Sequence, residues 1–580
     1  MADTLMKTYF DFSQLSMATY ASLFPNISGD TYSSALTTEG FSNPLAGQFA
    51  ATYIVKSVSG DEFSGFGFSA TLFERTVVVN GTPTVEKTLS IRGTDDPLDF
   101  LIDAVNIGIL GSENLNPQYD ELKRYVNFLL DPRNNLLQPT ENLIITGHSL
   151  GGFLAQGLAA DPAYASRIDK VYTYNAPGFG GPVTDLLNAL GISNPLVGSV
   201  PVGKVTNIVA SNGLSPIAGL GQHIGETVPV FIEAGLPLDN HRITTLTDAL
   251  AVYELFGKVD SQAQIQPITD ILNAISKEPA TSLEQAVVAL QRIFLAPQSP
   301  TLPTGDRDAL YGAIQALESN SNVVDGTKVV DSLVGDSASD LQTMAQFNSP
   351  SGLATRYAVK ELNPFVVVGA DYTQFHNPGD LDLYDPTTGN GSITLEYLKD
   401  RATFLEKKIE VNRSALPSVS GTLSFTYYKD NESGYEIGLP DVPLLSQMIF
   451  GNATDETING SNSRGDRLYG GDGADTISGN FGDDYIEGNE GNDVLLSGGS
   501  GADTILGGQG DDLLEGDSGA DTLDGGLDND ILRGGEGLDR HISNFGADTI
   551  EDSDGKGVVE FDRKILTGDL RRTCELQKFF

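Results

Sequence analysis

The sequence predicts an α/β fold in its amino-terminal part, then a helical stretch, then a repetitive domain of stacked coils. Two stretches carry this reading. The first is Thr146-Gly147-His148-Ser149-Leu150-Gly151-Gly152, set between the apolar run 142–145 and the run 153–160. A short apolar run, a glycine-rich turn and a helical pattern read as buried strand, tight turn and helix. The second is an aspartate every nine residues from Asp466 to Asp548, with a single step of ten between Asp493 and Asp503. A period held that strictly describes stacked coils, each too thin to bury a core alone.

The first stretch has chemistry written into its spacing. Gly-x-Ser-x-Gly between a strand and a helix is a nucleophile elbow, in which the serine sits at a strained turn with its hydroxyl above the sheet. Gly147 and Gly151 suit the close approach of strand and helix, where a Cβ has no room. The amide of Leu150, first in the helix, would point at an anion forming beside Ser149.

Composition excludes several classes. The 580 residues carry a formal net charge of −43, which argues against a nucleic-acid partner. Residues 451–555 hold 25 Asp and Glu against four Arg, so −21 of that charge lies there. Carboxylates at regular spacing among apolar residues point to bound cations rather than disorder. The single cysteine, Cys574, excludes an internal disulfide. No run is long enough for a membrane-spanning helix. The start, Met1 to Asp11, lacks a basic segment followed by an apolar one, so no cleaved signal peptide is expected there.

In chain order, residues 11–24 read as an amphipathic helix with Met17, Tyr20, Ala21 and Phe24 on one face. Residues 65–73 alternate like a strand, and 76–79 with 85–91 flank Asn80-Gly81 as a hairpin. Helical patterns follow at 119–130, 182–190 and 246–256, with strands at 170–174 and 204–210. From Leu246 to about Val330 the patterns stay helical, broken near Pro300 and Pro303. Phe365 to Val368, a long helix over 394–411 and strands within 419–445 complete the middle of the chain.

A strand ending in Arg92-Gly93-Thr94 upstream of the Gly-His-Ser-Leu-Gly elbow resembles the class 3 lipases, the family of the filamentous fungal lipases. The resemblance spans about residues 60–250 and implies an α/β-hydrolase catalytic domain with a helical insertion. It implies Thr94 as first oxyanion donor and Leu150 as second. Residues 97–110 are then either a mobile lid or a core helix. The family's catalytic aspartate follows the strand 204–210, and alignment on Pro216 puts Gly213 at that place with Asn212 just before it. Asn212 is thus the provisional third member, with Asp239 and Glu226 as carboxylate alternatives. Five histidines exist. His223 matches a non-catalytic family histidine. His241, immediately before a helix, stands where the catalytic one belongs and gives the order nucleophile, acid, histidine. His376 is its alternative.

The pattern Gly-Gly-x-Gly-x-Asp-x-aliphatic-x, clearest at Gly470 to Ile477 and Gly507 to Leu514, resembles the RTX nonapeptide. That resemblance implies a C-terminal parallel β-roll binding several Ca2+ ions. Asp466, Asp475, Asp484, Asp493, Asp503, Asp512, Asp521, Asp530 and Asp539 are the expected ligands, and Ile477, Ile486, Leu495, Ile505, Leu514 and Leu523 the thin core. The ten-residue step should bulge near Leu495 to Ser497 and cost an ion site. RTX repeats also imply type I secretion machinery as partner and an extracellular location. The last residues, Thr573 to Phe580, depart from the acidic-then-hydrophobic ending usual for that route. The expected division is 1–250 catalytic core, 251–345 helical insertion, 346–450 mixed extension, 451–555 roll and 556–580 tail. The expected activity is calcium-dependent serine hydrolysis of lipid esters, by a lipase or phospholipase A1, at a membrane or droplet interface. The alternative is an inactive hydrolase domain on a calcium-loaded adhesion protein.

Overall fold

The computed structural model describes residues 4–60, 68–79, 81–93, 115–178, 202–212, 223–233, 235, 239–295, 302–375, 381–414, 426–439, 445–561, 563–566 and 574–575. Thr94, the segment 97–110, the helix expected at 182–190, residues 213–222 and His376 lie outside them. The chain forms two compact units, residues 1–332 and 333–580.

The first unit is built on a seven-stranded sheet in sequential order: β1 (Ile54–Val58), β2 (Ala70–Val79), β3 (Thr82–Ile91), β4 (Leu143–His148), β5 (Ile168–Tyr174), β6 (Val205–Ala210) and β7 (Glu226–Val230). The first three are antiparallel, and β3 to β7 run parallel. The hairpin expected at Asn80-Gly81 is present, Gly81 taking φ +79°. On one face α4 (Leu115–Leu130) and α5 (Leu150–Ala160) bury Leu122, Tyr125, Leu129, Phe153 and Leu158 against Leu89, Ile91, Ile145 and Val171.

On the other face lies α1 (Leu5–Ala18), which packs against β4 and α6 (Ile243–Val259); α2 (Gly29–Thr38) and α3 (Asn43–Thr52) follow α1 in the chain. Being covered on both sides, α1 buries polar residues too, and each needs a partner. Ser16 Oγ meets Thr146 Oγ1 at 2.7 Å, Thr19 Oγ1 donates to Ser90 Oγ, and Ser90 Oγ donates to the Leu15 carbonyl. This seam of hydroxyls fixes α1 to β3 and β4. The expected helix over 11–24 is therefore displaced: it starts at Leu5, capped by Thr4, and ends at Ala18, leaving Phe24 half exposed. The chain turns away at Thr19 because Tyr20 is held by His148, a contact no local pattern encodes.

After α6 come α7 (Ile265–Ile275), α8 (Ser282–Phe294) and α9 (Arg307–Glu318), the expected helical stretch. Arg307 grips Asp248 of α6 with two hydrogen bonds of 2.6 Å, and Tyr311 adds a third at 2.9 Å.

The second unit contains helices Ala338–Ala345 and Pro350–Lys360 and, after them, a parallel β-roll. Strands alternate between two sheets, and each pairs with the strand one coil away, 18 residues on, or 19 where the coil contains the ten-residue step. One aliphatic residue per turn points inward: Leu468, Ile477, Ile486, Leu496, Ile505, Leu514, Leu523 and Leu532 form a single buried row. Leu496 takes the place expected for Leu495. The extra residue of the ten-residue step is Val494, pushed into solvent, and the amides of Val494 and Leu495 both turn to the Asp475 carbonyl. The bulge thus precedes the core position instead of following it. Strands 426–430 and 446–450 continue one sheet beyond the first coil. Helix Leu395–Arg413 closes that end, Arg467 bridging to Asp400 and Glu396 and Arg401 to Asp430.

Candidate active site and calcium ladder

Strand β4 runs into Ser149 at the carboxyl edge of the parallel strands, and α5 leaves directly from it. Ser149 holds φ +54° and ψ −127°, a backbone state that L-residues avoid and that persists only where packing imposes it. The glycines show what imposes it. A Cβ on Gly151 would lie 2.1 Å from the Ile91 carbonyl oxygen, and one on Gly147 would lie 2.5 Å from Gly151. Leu150 opens the helix, so its amide has no carbonyl within the helix to bond. Gly93, at the end of β3, lies against the same turn: a Cβ there would meet the His148 carbonyl at 2.6 Å and Ser149 Cβ at 3.2 Å.

His241 ends a short 3-10 turn, Asp239–His241, just ahead of α6. Its Nε2 lies 2.9 Å from Ser149 Oγ, and both residues are buried. Its backbone is clamped twice. The carbonyl oxygen lies 2.6 Å from His148 Nε2, and the Asn175 amide donates to it at 3.4 Å and to the Asn240 carbonyl at 3.1 Å. Asn175, itself at φ +44°, accepts from the Ala210 amide. Burial, then the neighbouring His148 ring, pushes the His241 imidazole down to about 2. It is neutral across ordinary pH, the state a general base requires.

The third member expected from sequence does not reach this pair. Asn212 donates to the Ile232 carbonyl at 2.5 Å and accepts from the Ile232 amide at 2.8 Å, so both ends of its amide serve the backbone beside β7. Glu226 opens β7 and pairs with Thr206 at the start of β6, at the opposite rim of the sheet from Ser149, and is exposed. His223 precedes it at that same rim. Asp239 lies in the 3-10 turn two residues before His241. Residues 213–222, after β6, and Thr94 are outside the described residues.

In the roll, the carboxylates form a ladder. Oδ1 of Asp484 accepts the Asp466 amide at 2.6 Å, Oδ1 of Asp493 that of Asp475 at 2.9 Å, and Oδ1 of Asp503 that of Asp484 at 2.8 Å. The same bond recurs at Asp512, Asp521, Asp530, Asp539 and Asp548. The other oxygen, Oδ2, of Asp475, Asp484, Asp493, Asp503, Asp512, Asp521, Asp530, Asp539 and Asp548 is buried with no protein partner. A Cβ on Gly488 or Gly479 would fall 1.9 or 2.2 Å from such an oxygen. Stacked, desolvated carboxylate oxygens ringed by glycine backbone are the donor set a hard dication takes. Burial drives these groups up, Asp512 to about 8 and Asp493 to about 7. Asp466 stands apart, because the Gln447 and Ser461 amides occupy its two oxygens. The ladder of amide bonds passes the ten-residue step unbroken.

Two family models match the chain. The RTX calcium-binding nonapeptide repeat matches residues 461–495, 497–532 and 515–550, and a model described as Mbeg1-like matches residues 61–210. Residues 461–550 are therefore RTX calcium-binding repeats. No curated protein matches the chain. Among solved structures it is similar to the Lip2 lipase from Yarrowia lipolytica, with 18% identity, covering 41% of this chain and 83% of that one at a TM-score of 0.26. It is also similar to the extracellular lipase LipA from Serratia marcescens, with 12% identity, covering 93% and 90% at a TM-score of 0.20.

Proposed function

We propose that the chain is a secreted serine hydrolase of carboxylic esters, acting on lipid esters and carrying a calcium-dependent roll. The observation that carries this is the 2.9 Å approach of His241 Nε2 to Ser149 Oγ on a strained elbow. In the proposed reaction Ser149 Oγ attacks the ester carbonyl while His241 Nε2 takes its proton. The oxyanion is held by the Leu150 amide and by Thr94. The imidazolium then passes its proton to the departing alkoxide, leaving an acyl group on Ser149. Water, deprotonated by His241, releases the carboxylic acid and restores the serine.

The formed Ser149–His241 pair favours an active hydrolase over an inactive domain on an adhesion protein, since backbone strain at φ +54° serves nothing in a spent site. The RTX repeats favour type I secretion. Triacylglycerol lipase and phospholipase A1 activity are the two substrate readings. Purified calcium-loaded chain should be assayed on triglyceride emulsions, phospholipid vesicles and nitrophenyl esters, beside Ser149→Ala. Hydrolysis by the wild type and none by the variant supports the reading; equal rates, or none on any ester, would refute it.

A further inference from the structure

Tyr20 follows the end of α1 and takes no direct part in the reaction above. Its hydroxyl accepts from the Gly93 amide at 3.2 Å and lies 3.0 Å from His148 Nδ1. His148 Nε2 in turn lies 2.6 Å from the His241 carbonyl oxygen. A carbonyl can only accept, so Nε2 carries the imidazole proton and Nδ1 is bare. Tyr20 must then donate its one proton to Nδ1 and offer a lone pair to Gly93. Every bond in the chain has a fixed direction: Gly93 amide to Tyr20, Tyr20 to His148, His148 to His241. Burial keeps His148 neutral, with its pKa down at about 4, which that direction requires.

We propose that Tyr20 is a positioning residue, locking the end of the oxyanion strand and the backbone of the catalytic histidine to one another through His148. Gly93 directly precedes Thr94, and His241 carries the base, so one hydroxyl sets the spacing of two parts that arrive 148 residues apart. Small misplacements of such groups cost rate much more than affinity. Asn175 still holds the His241 carbonyl when His148 lets go, so the loss on removing the hydroxyl is partial. The inference rests on the reading of Ser149 and His241 given above.

The test compares wild type, Tyr20→Phe, His148→Leu and the double variant, reading kcat and KM on nitrophenyl butyrate, the rate of fluorophosphonate labelling and the thermal midpoint. Tyr20→Phe should lower kcat about tenfold and slow labelling alike, with KM within about twofold and the midpoint little changed. The double variant should lose no more than His148→Leu alone, as groups in one chain do. Unchanged kcat in Tyr20→Phe, or losses that multiply in the double variant, would overturn the proposal. A wild type that the probe does not label would instead overturn the hydrolase reading itself. The unmutated protein supplies an independent check: with five histidines, selective 15N labelling should show His148 as the Nε2–H tautomer, and an Nδ1–H tautomer would refute the chain of bonds.

Discussion

His241 Nε2 lies 2.9 Å from Ser149 Oγ, yet the two residues are 92 positions apart and neither belongs to a strand or an α-helix. Each is held from behind, Ser149 by the glycines of the elbow and His241 by His148 and Asn175. The pair is therefore held in place by the protein's own contacts.

In the proposed reaction nucleophile and base act as a unit, so removing one member should cost nearly as much as removing both. Ser149→Ala and His241→Ala should each lower kcat by about four to six orders of magnitude, and the double variant by little more. Circular dichroism and calcium uptake should match wild type in all three. Multiplying losses in the double variant would show that the residues act separately.

Asn212→Ala should behave as a structural change. It removes two hydrogen bonds to Ile232, worth about 1 kcal/mol each, and should lower the thermal midpoint while leaving kcat within a few fold. Glu226→Gln, at the far rim, should alter neither. A loss of kcat of a hundredfold or more in Asn212→Ala at intact stability would return Asn212 to the triad.

A pair of carboxyls, Glu284 buried and Glu233 partly so, sets a pH dependence in the first unit. Glu233 accepts the Leu283 amide at 2.9 Å, and Glu284 accepts that of Gly305 at 2.9 Å. Burial first, and then Glu284, pushes Glu233 up to about 9. Between the unfolded carboxyl value and 9 the folded state keeps a proton that the unfolded chain has released, so this contribution weakens stability as pH rises through that window. Glu233→Gln keeps a neutral partner for Glu284. Its midpoint should exceed wild type at pH 8 and approach it at pH 4.5; an equal difference at both would contradict the account.

The roll should lose its β signal in chelator and regain it with calcium but not magnesium, whose smaller octahedral shell fits these sites poorly. The metal-free roll carries a sign of its own. Its aspartates are raised by burial, Asp484 and Asp521 to about 7 and Asp530 to about 9. Their folded form therefore gains stability from protons, and this is lost as pH climbs through that range. Lowering chelated protein from pH 8 to pH 5 should restore part of the β signal. No recovery on acidification would mean that carboxylate repulsion is not what unfolds the roll. Deleting Val494, the exposed extra residue at the bulge, should leave the calcium response intact.

The elbow and the ladder were legible in sequence because each forces particular residues at fixed spacing. Gly147 and Gly151 are demanded by approaches under 3 Å, and the roll repeats one aspartate and one aliphatic per turn. Leu496 was not separable from Leu495, since Val494-Leu495-Leu496 offers two equal candidates once the register slips by one. Asn212 shows a different limit. It stands one residue before the place that alignment on Pro216 gives the acid, and its amide bonds the backbone of Ile232, a contact that only the folded sheet reveals. Periodicity alone puts Tyr20 on one face of a helix. Its partner His148 lies 128 residues on, beyond the reach of any periodicity.

The most direct test of the central claim is peptide mapping of the calcium-loaded protein after reaction with a fluorophosphonate. The account predicts one adduct, on the peptide that contains Ser149, and none in His241→Ala over the same time. An unreacted protein, or an adduct confined to another serine, would contradict it.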